Sequence, residues 1–328
     1  MMLRKLLPDT YVIALLSTVA LASLLPCRGD VAAILGVLTH VAIAVLFFLH
    51  GAKLSREAVV AGFTHWRLHL TTLSVTFILF PVLGLAARPL LAPWVGGTLY
   101  TGVLFLCMLP STVQSSIAFT AMARGNVAAS VCGASASNLL GMFVTPLLVG
   151  LFVAQGSGAI STDAIGSILV QLLLPFIAGQ AARRWIGGWV RRRAPALKYV
   201  DQGSILLVVY TAFSAAVVEG LWSKVDGPAL LGLLAISALL LSVVMLSTTF
   251  GARALGFSRE DEISFVFCGS KKSLATGVPM AKVLFAAPEV GMMVLPLMLF
   301  HQLQLMVCAV LAQRYARAET LDAASERA

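Results

Sequence analysis

The stretch Cys268-Gly-Ser-Lys-Lys-Ser-Leu-Ala-Thr-Gly-Val-Pro279 sets two lysines, two glycines and a proline inside a run otherwise apolar enough to cross a membrane. An ammonium group at mid-bilayer depth costs roughly 2.5 to 3.5 kcal/mol on insertion scales, so Lys271 and Lys272 require compensation that lipid cannot give. Successive side chains of a helix diverge by about 100°, so the two lysines can reach one cavity only if the helix is unwound there. All 14 acidic residues of the chain fall in predicted loops, tails or helix ends. Carbonyls, helix C-terminal dipoles, water or an anionic ligand are therefore left to stabilise the pair. As scaffold, the lysines would be held by carbonyls or snorkel to an interface. As a site, together with Gly269, Ser270 and Ser273, they would meet an anion. Lys282, nearer the end of the same run, reads as a snorkelling residue.

A second polar interruption is Leu109-Pro-Ser-Thr-Val-Gln-Ser-Ser116. Pro110 removes a donor and clashes with the preceding turn, while Ser111, Thr112, Gln114, Ser115 and Ser116 supply polar groups for the backbone it frees. The segment is either a proline kink patched by hydroxyls or an unwound strand of backbone lining a cavity. The following run adds Ser130, Ser135, Ser137 and Asn138. Small residues at this density let helices approach closely, whereas the Asn138 amide needs several partners of its own. In the last run His301, Gln302 and Gln304 form either an interhelical hydrogen-bond cluster or a proton-relay or substrate contact.

The elements that must position these groups follow from composition. With 59% hydrophobic and only 11% charged residues in 328, the chain is no ordinary soluble domain and reads as an all-α polytopic membrane protein. Its net charge of +9 sits between apolar runs without any nucleic-acid motif, which excludes nucleic acid as a partner. Cys107, Cys132, Cys268 and Cys308 lie in apolar runs without ligand spacing, and Cys27 stands alone, so neither a disulfide frame nor a metal site is indicated.

Apolar runs of spanning length fall near 11–27, 31–51, 67–87, 98–124, 127–154, 160–184, 203–221, 228–252, 262–286 and 289–313, which makes ten crossings. With a cytoplasmic N-terminus, the inner connections and tails hold 17 Lys and Arg and the outer ones three, Arg28, Arg88 and Lys224. The cation rule then places both ends inside. Arg4-Lys5 followed by an apolar stretch and Ala20-Leu-Ala22 also resembles a cleavable signal peptide. An internal repeat favours its retention: crossings one to five (about 8–155) and six to ten (about 160–315) each place an interrupted helix fourth, with the basic linker 183–198 between them. An odd number of crossings per half inverts the second half, and inverted repeats with broken helices point to secondary transporters with a midplane site. The chain is read as one membrane domain over 1–328, with 316–328 a cytoplasmic polar tail expected to be disordered.

The motifs Leu109-Pro-Ser-Thr-Val-Gln-Ser-Ser-Ile-Ala-Phe-Thr120, Ala123-Arg-Gly-Asn-Val127, Ser135-Ala-Ser-Asn138, Thr145-Pro-Leu-Leu148 and Cys268-Gly-Ser-Lys-Lys-Ser-Leu-Ala275 resemble the bile acid:sodium symporter-like transporters. Within them the chain is most similar to a bacterial symporter branch that also resembles the seventh vertebrate sodium/bile acid cotransporter. The resemblance implies two inverted five-helix repeats, a panel and a core domain, and unwound fourth and ninth helices that cross. It places family ion ligands near Ser115 and Ser116 and at Ser130 and Ala134-Ser135. Where sodium-dependent members carry a Glu before the glycine and amides after it, this chain has Phe267-Cys268, then Lys271 and Lys272.

The sequence is accordingly read as a secondary transporter of a small organic anion working by alternating access in a bacterial inner membrane, sodium-independent or proton-coupled. Lys271 or Lys272 meets the anion or stands in for a bound sodium, and a desolvated ammonium can give up and regain its proton. The alternatives are a sodium-coupled organic anion or bile acid symporter, with Na+ near Ser115, Ser116 and Asn138, and a non-transporting regulator on the same fold. No His-Glu-x-x-His, Gly-x-Ser-x-Gly or intramembrane acidic pair marks an enzyme, and no cofactor is expected. The partners are the bilayer and the anion, with oligomeric state left open. The topology is checked by labelling single cysteines near Arg88, Arg191 and Lys224 in intact cells, in a background without native cysteines. Labelling at Arg88 and Lys224 with protection at Arg191 is expected; labelling at Arg191 alone contradicts it.

Overall fold

Backbone removed from water must satisfy its own donors and acceptors, so long apolar runs close into helices. The computed structural model describes residues 10–53, 65–153 and 162–325, and no strand occurs among them. The first half comprises α1 Thr10–Leu24, α2 Gly29–Lys53, α3 Trp66–Val95, α4 Gly97–Met108, α5 Gln114–Met122 and α6 Val127–Phe152. The second comprises α7 Thr162–Arg192, α8 Ala194–Val218, α9 Gly227–Ala254, α10 Arg259–Gly269, α11 Leu274–Leu284 and α12 Val290–Ser325. Six of these helices, α2, α3, α6, α8, α9 and α12, are long and apolar enough to cross a membrane, and α1 and α4 are shorter apolar helices.

Both polar interruptions break their helices, at 109–113 between α4 and α5 and at 270–273 between α10 and α11. The second break is narrower than the run to Pro279 suggested. Pro279 lies inside α11, and Gly277 serves contact rather than flexibility, since a Cβ there would sit 2.5 Å from Leu109 Cδ1. The basic segment 183–198 is not an extended linker: α7 runs to Arg192 and α8 starts at Ala194, with Pro195 in its first turn, where a missing N–H costs nothing. Of the tail expected to be disordered, 316–325 continue α12 to Ser325, and 326–328 lie outside the described residues. Its Ala, Arg, Glu and Leu residues are good helix formers with no Gly or Pro among them to stop the helix. The turn at Arg124-Gly-Asn126 is as expected, with Arg124 at φ 60° in the left-handed region.

Side-chain caps fix the helix starts. Asn126 accepts from Ala129 N at 3.0 Å, Asp226 from Ala229 N at 2.8 Å and Ser258 from Asp261 N at 3.2 Å. Asn126 also ties the α5–α6 turn to α10, donating through Nδ2 to Asp261 Oδ1 at 2.8 Å and accepting at its carbonyl from Ser264 Oγ at 2.6 Å. Glu262 links three helices by accepting from Arg253 Nε at 3.2 Å and Tyr315 OH at 2.9 Å.

α2 and α7 approach each other closely. A Cβ on Gly51 would lie 2.1 Å from Phe176 O, and one on Gly179 would lie 1.9 Å from Phe48 O. Small residues let two membrane helices come this near, where packing rather than water drives association. Gly179→Val is therefore expected to lower stability by about 3 kcal/mol or more, the upper range for overpacking. Gly188→Ala, where a Cβ meets nothing within 4 Å, is the control expected to melt as wild type does.

Candidate functional site at the junction of two broken helices

Breaking a helix releases carbonyls that lipid cannot satisfy. At the end of α4, five consecutive ones find named donors: Cys107 O and Leu109 O take Lys272 Nζ, Met108 O takes Thr145 Oγ1, Pro110 O takes Ser273 N and Ser111 O takes Asn138 Nδ2. The second break is served in return. Ser116 Oγ donates to Phe267 O at 2.9 Å and Ser111 Oγ to Cys268 O at 2.5 Å. Each broken helix thus supplies donors for the other's carbonyls, which holds the two breaks together.

The adjacent lysines have different surroundings. Both are fully buried, and neither is paired with a carboxylate among the described residues. Lys272 Nζ donates to Thr76 O and Cys107 O at 2.8 Å and to Leu109 O at 2.7 Å, with the ring of Phe80 4.1 Å away. Thr76 O is available because α3 takes a π-helical step over Val75–Leu79. Phe80 N donates to Val75 O instead of Thr76 O, and the next residue, Pro81, has no N–H to offer. Cys107 O is available because Ser111 N, its helical partner, donates to Ser137 Oγ. Hydrogen bonds to a charged group contribute about 1.5 to 3 kcal/mol each, so three of them offset the cost of burying Lys272.

Lys271 has no such compensation. Among the described residues its Nζ makes no hydrogen bond, and it lies over the faces of Phe119 and Phe267, 4.0 and 5.5 Å from the ring centroids. Contacts of this kind are worth roughly 0.5 to 2 kcal/mol each and leave the ammonium's hydrogen-bonding capacity unmet. Gln304 clamps the backbone of Lys272, accepting from Lys272 N at 2.9 Å and donating to Lys272 O at 3.0 Å and to His301 Nδ1 at 2.8 Å.

The remaining sequence candidates divide. Asn138 bridges both breaks, donating to Ser111 O at 2.6 Å and Ala134 O at 3.2 Å while accepting from Thr276 Oγ1 at 2.7 Å. Thr112 Oγ1 lies 2.7 Å from Ser115 Oγ and 3.2 Å from Ser116 Oγ. Ser130 Oγ pairs with Thr120 Oγ1 at 2.8 Å. Ser273 caps α11, accepting from Thr276 N at 3.2 Å, and Ser270 Oγ turns back to Val266 O at 2.6 Å. Gly269 packs closely, its absent Cβ 3.1 Å from Thr248 Cγ2. Gln114 is exposed at the first turn of α5, and Ser135 is half-buried with no side-chain hydrogen bond among the described residues. Thr76, Phe80, Phe119, Phe267, Thr145 and Thr276 were not among the sequence candidates. Only Pro81, at the π-helical step, left a readable trace of the Thr76 carbonyl.

A membrane-embedded helical bundle with two broken helices joined at a buried, partly uncompensated charge has the architecture of a transport protein. The chain belongs to the SBF-like CPA transporter family, whose model matches residues 9–317. It is 64% identical over 314 residues to an uncharacterised Pseudomonas aeruginosa protein, covering 95% of this chain and 94% of that one. It is 56% identical over 324 residues to the Escherichia coli protein named "Putative symporter YfeH", covering 97% and 96%. It is 29% identical over 276 residues to rat sodium/bile acid cotransporter 7, covering 83% and 81%. The chain is thus an integral, multi-pass membrane protein of a transporter family, as the motifs around the two breaks implied.

The hydrogen-bond pattern separates Asn138 from its neighbours. Asn138→Leu removes the donor of Ser111 O and the acceptor of Thr276, and is expected to destabilise the protein by about 2 to 4 kcal/mol. Ser135→Ala is expected to change the melting temperature little. Equal losses in the two variants would contradict this account of the junction.

Proposed function

We propose that this protein is a secondary transporter of a small organic anion, and that the anion is received by Lys271 at the junction of the broken helices. The observation that carries the reading is the buried Lys271 ammonium, without a hydrogen-bond partner beside the breaks. A cation left short of compensation in an apolar interior is completed by an anion. α5 and α11 also begin at the junction, and their positive ends favour negative charge there.

The same residues support sodium independence. No carboxylate reaches the junction among the described residues, two ammonium groups do, and Ser116 Oγ and Asn138 Oδ1 are engaged with protein partners. Proton coupling remains open to Lys271.

The finer fold is read as ten crossings in two inverted repeats, with both termini cytoplasmic in a bacterial inner membrane. Helix pairings support it under exchange of the halves. α1 packs on α8 as α7 packs on α2, α3 on α4 as α9 on α10, and α4 on α12 as α10 on α6. Alternating access would then rock the helices that carry the breaks against the α1–α2–α7–α8 group.

The test is thermal shift of the purified protein against benzoate, a small alkyl sulfonate and taurocholate, in sodium or choline chloride. At least one anion is expected to raise the melting temperature, with affinity in the two salts agreeing within tenfold, about 1.4 kcal/mol. Lys271→Met is expected to keep a wild-type melting temperature and lose the response. A larger dependence on sodium overturns the coupling, and a folded methionine variant with normal binding removes Lys271 from the site.

A further inference from the structure

We propose that the three carbonyls around Lys272 form a monovalent-cation site that the chain fills with its own ammonium group, so that the cage without the side chain binds a free potassium or ammonium ion. The inference concerns Lys272 alone and stands whether or not the protein carries anions.

The oxygens of Thr76, Cys107 and Leu109 converge on Nζ at 2.8, 2.8 and 2.7 Å in a fully buried position. They come from α3, from the end of α4 and from the break that follows it, and two of them are released for reasons already visible in the chain: the π-helical step before Pro81 and the diversion of Ser111 N to Ser137. Converging backbone carbonyls that replace a hydration shell are how proteins hold bare monovalent cations. The face of Phe80, 4.1 Å from Nζ, adds a negative surface on another side, and the C-terminal end of α4 adds its dipole. No carboxylate contributes among the described residues, so the site is built for a single positive charge.

The α4 side of the cage is anchored independently of its occupant. Thr145 Oγ1 fixes Met108 O at 2.7 Å, Ser137 Oγ fixes Ser111 N at 3.0 Å and Asn138 Nδ2 fixes Ser111 O at 2.6 Å, so the carbonyls on either side of Met108 keep their places when Lys272 is shortened. The spacing suits an ion the size of ammonium or potassium. Sodium and lithium would have to draw inward oxygens held on separate segments, and choline is too large to enter. In the native protein the cation cannot leave, which removes a mobile cation from this position.

The experiment melts purified full-length wild type and Lys272→Ala in choline, lithium, sodium, potassium and ammonium chlorides at one ionic strength. Wild type is expected to melt at the same temperature in all five. The alanine variant should melt lower in choline and regain at least half of the loss in potassium or ammonium, saturably, with sodium and lithium weaker. A folded alanine variant that melts identically in choline and potassium overturns the proposal, as does a wild type that itself responds to potassium. Lys272→Met fills the space without a donor and covers the case in which the alanine variant is not recovered. It must melt below wild type in every salt, and a methionine variant as stable as wild type overturns the proposal.

Discussion

A charged amine buried in a membrane protein is stabilised most by oxygen around it, and for Lys272 the oxygen comes from helices whose regular hydrogen bonding is broken there. Lys272 sits in the second break and bonds to carbonyls freed by the first break and by the π-helical step in α3. Each partner answers the other's deficiency: the ammonium lacks a carboxylate, and the carbonyls lack amide donors. Three segments distant in sequence are thereby held at one point. The reciprocal bonds from Ser111 and Ser116 to the carbonyls of Cys268 and Phe267 complete the lock.

With that junction fixed, Lys271 is directed elsewhere. The backbone between the two lysines is not helical, and Gln304 holds Lys272 at both its N–H and its C=O. One ammonium is satisfied by the protein, while its neighbour rests on aromatic faces in the cluster of Phe267, Ala123 and Cys308. On the proposed function, stability and recognition are divided between two identical side chains one residue apart. A substitution at either therefore reports on a different property.

The positions of both breaks were legible from local chemistry: Pro110 among hydroxyls, and two lysines beside Gly269 in apolar surroundings. Asn138 was legible as a group needing several partners, and it has three. Gly277 and Pro279 misled, because a glycine that admits Leu109 and a proline tolerated within α11 look, in sequence, like residues that end a helix. Which lysine faces which carbonyls could not be read, since that depends on the register shift at Val75–Leu79 and on long-range pairs such as Asn138 with Thr276. The helical continuation of α12 was hidden by polarity, which marks exposure and not disorder.

The central claim is that the two lysines are physically unlike despite their identity and adjacency. Its most direct test is to melt Lys271→Met and Lys272→Met side by side, in one detergent and one salt. Removing Lys272 strands three buried carbonyls, whereas removing Lys271 strands none. The account predicts a clear fall in melting temperature for Lys272→Met and none for Lys271→Met. Equal falls, or a larger fall for Lys271→Met, would contradict it.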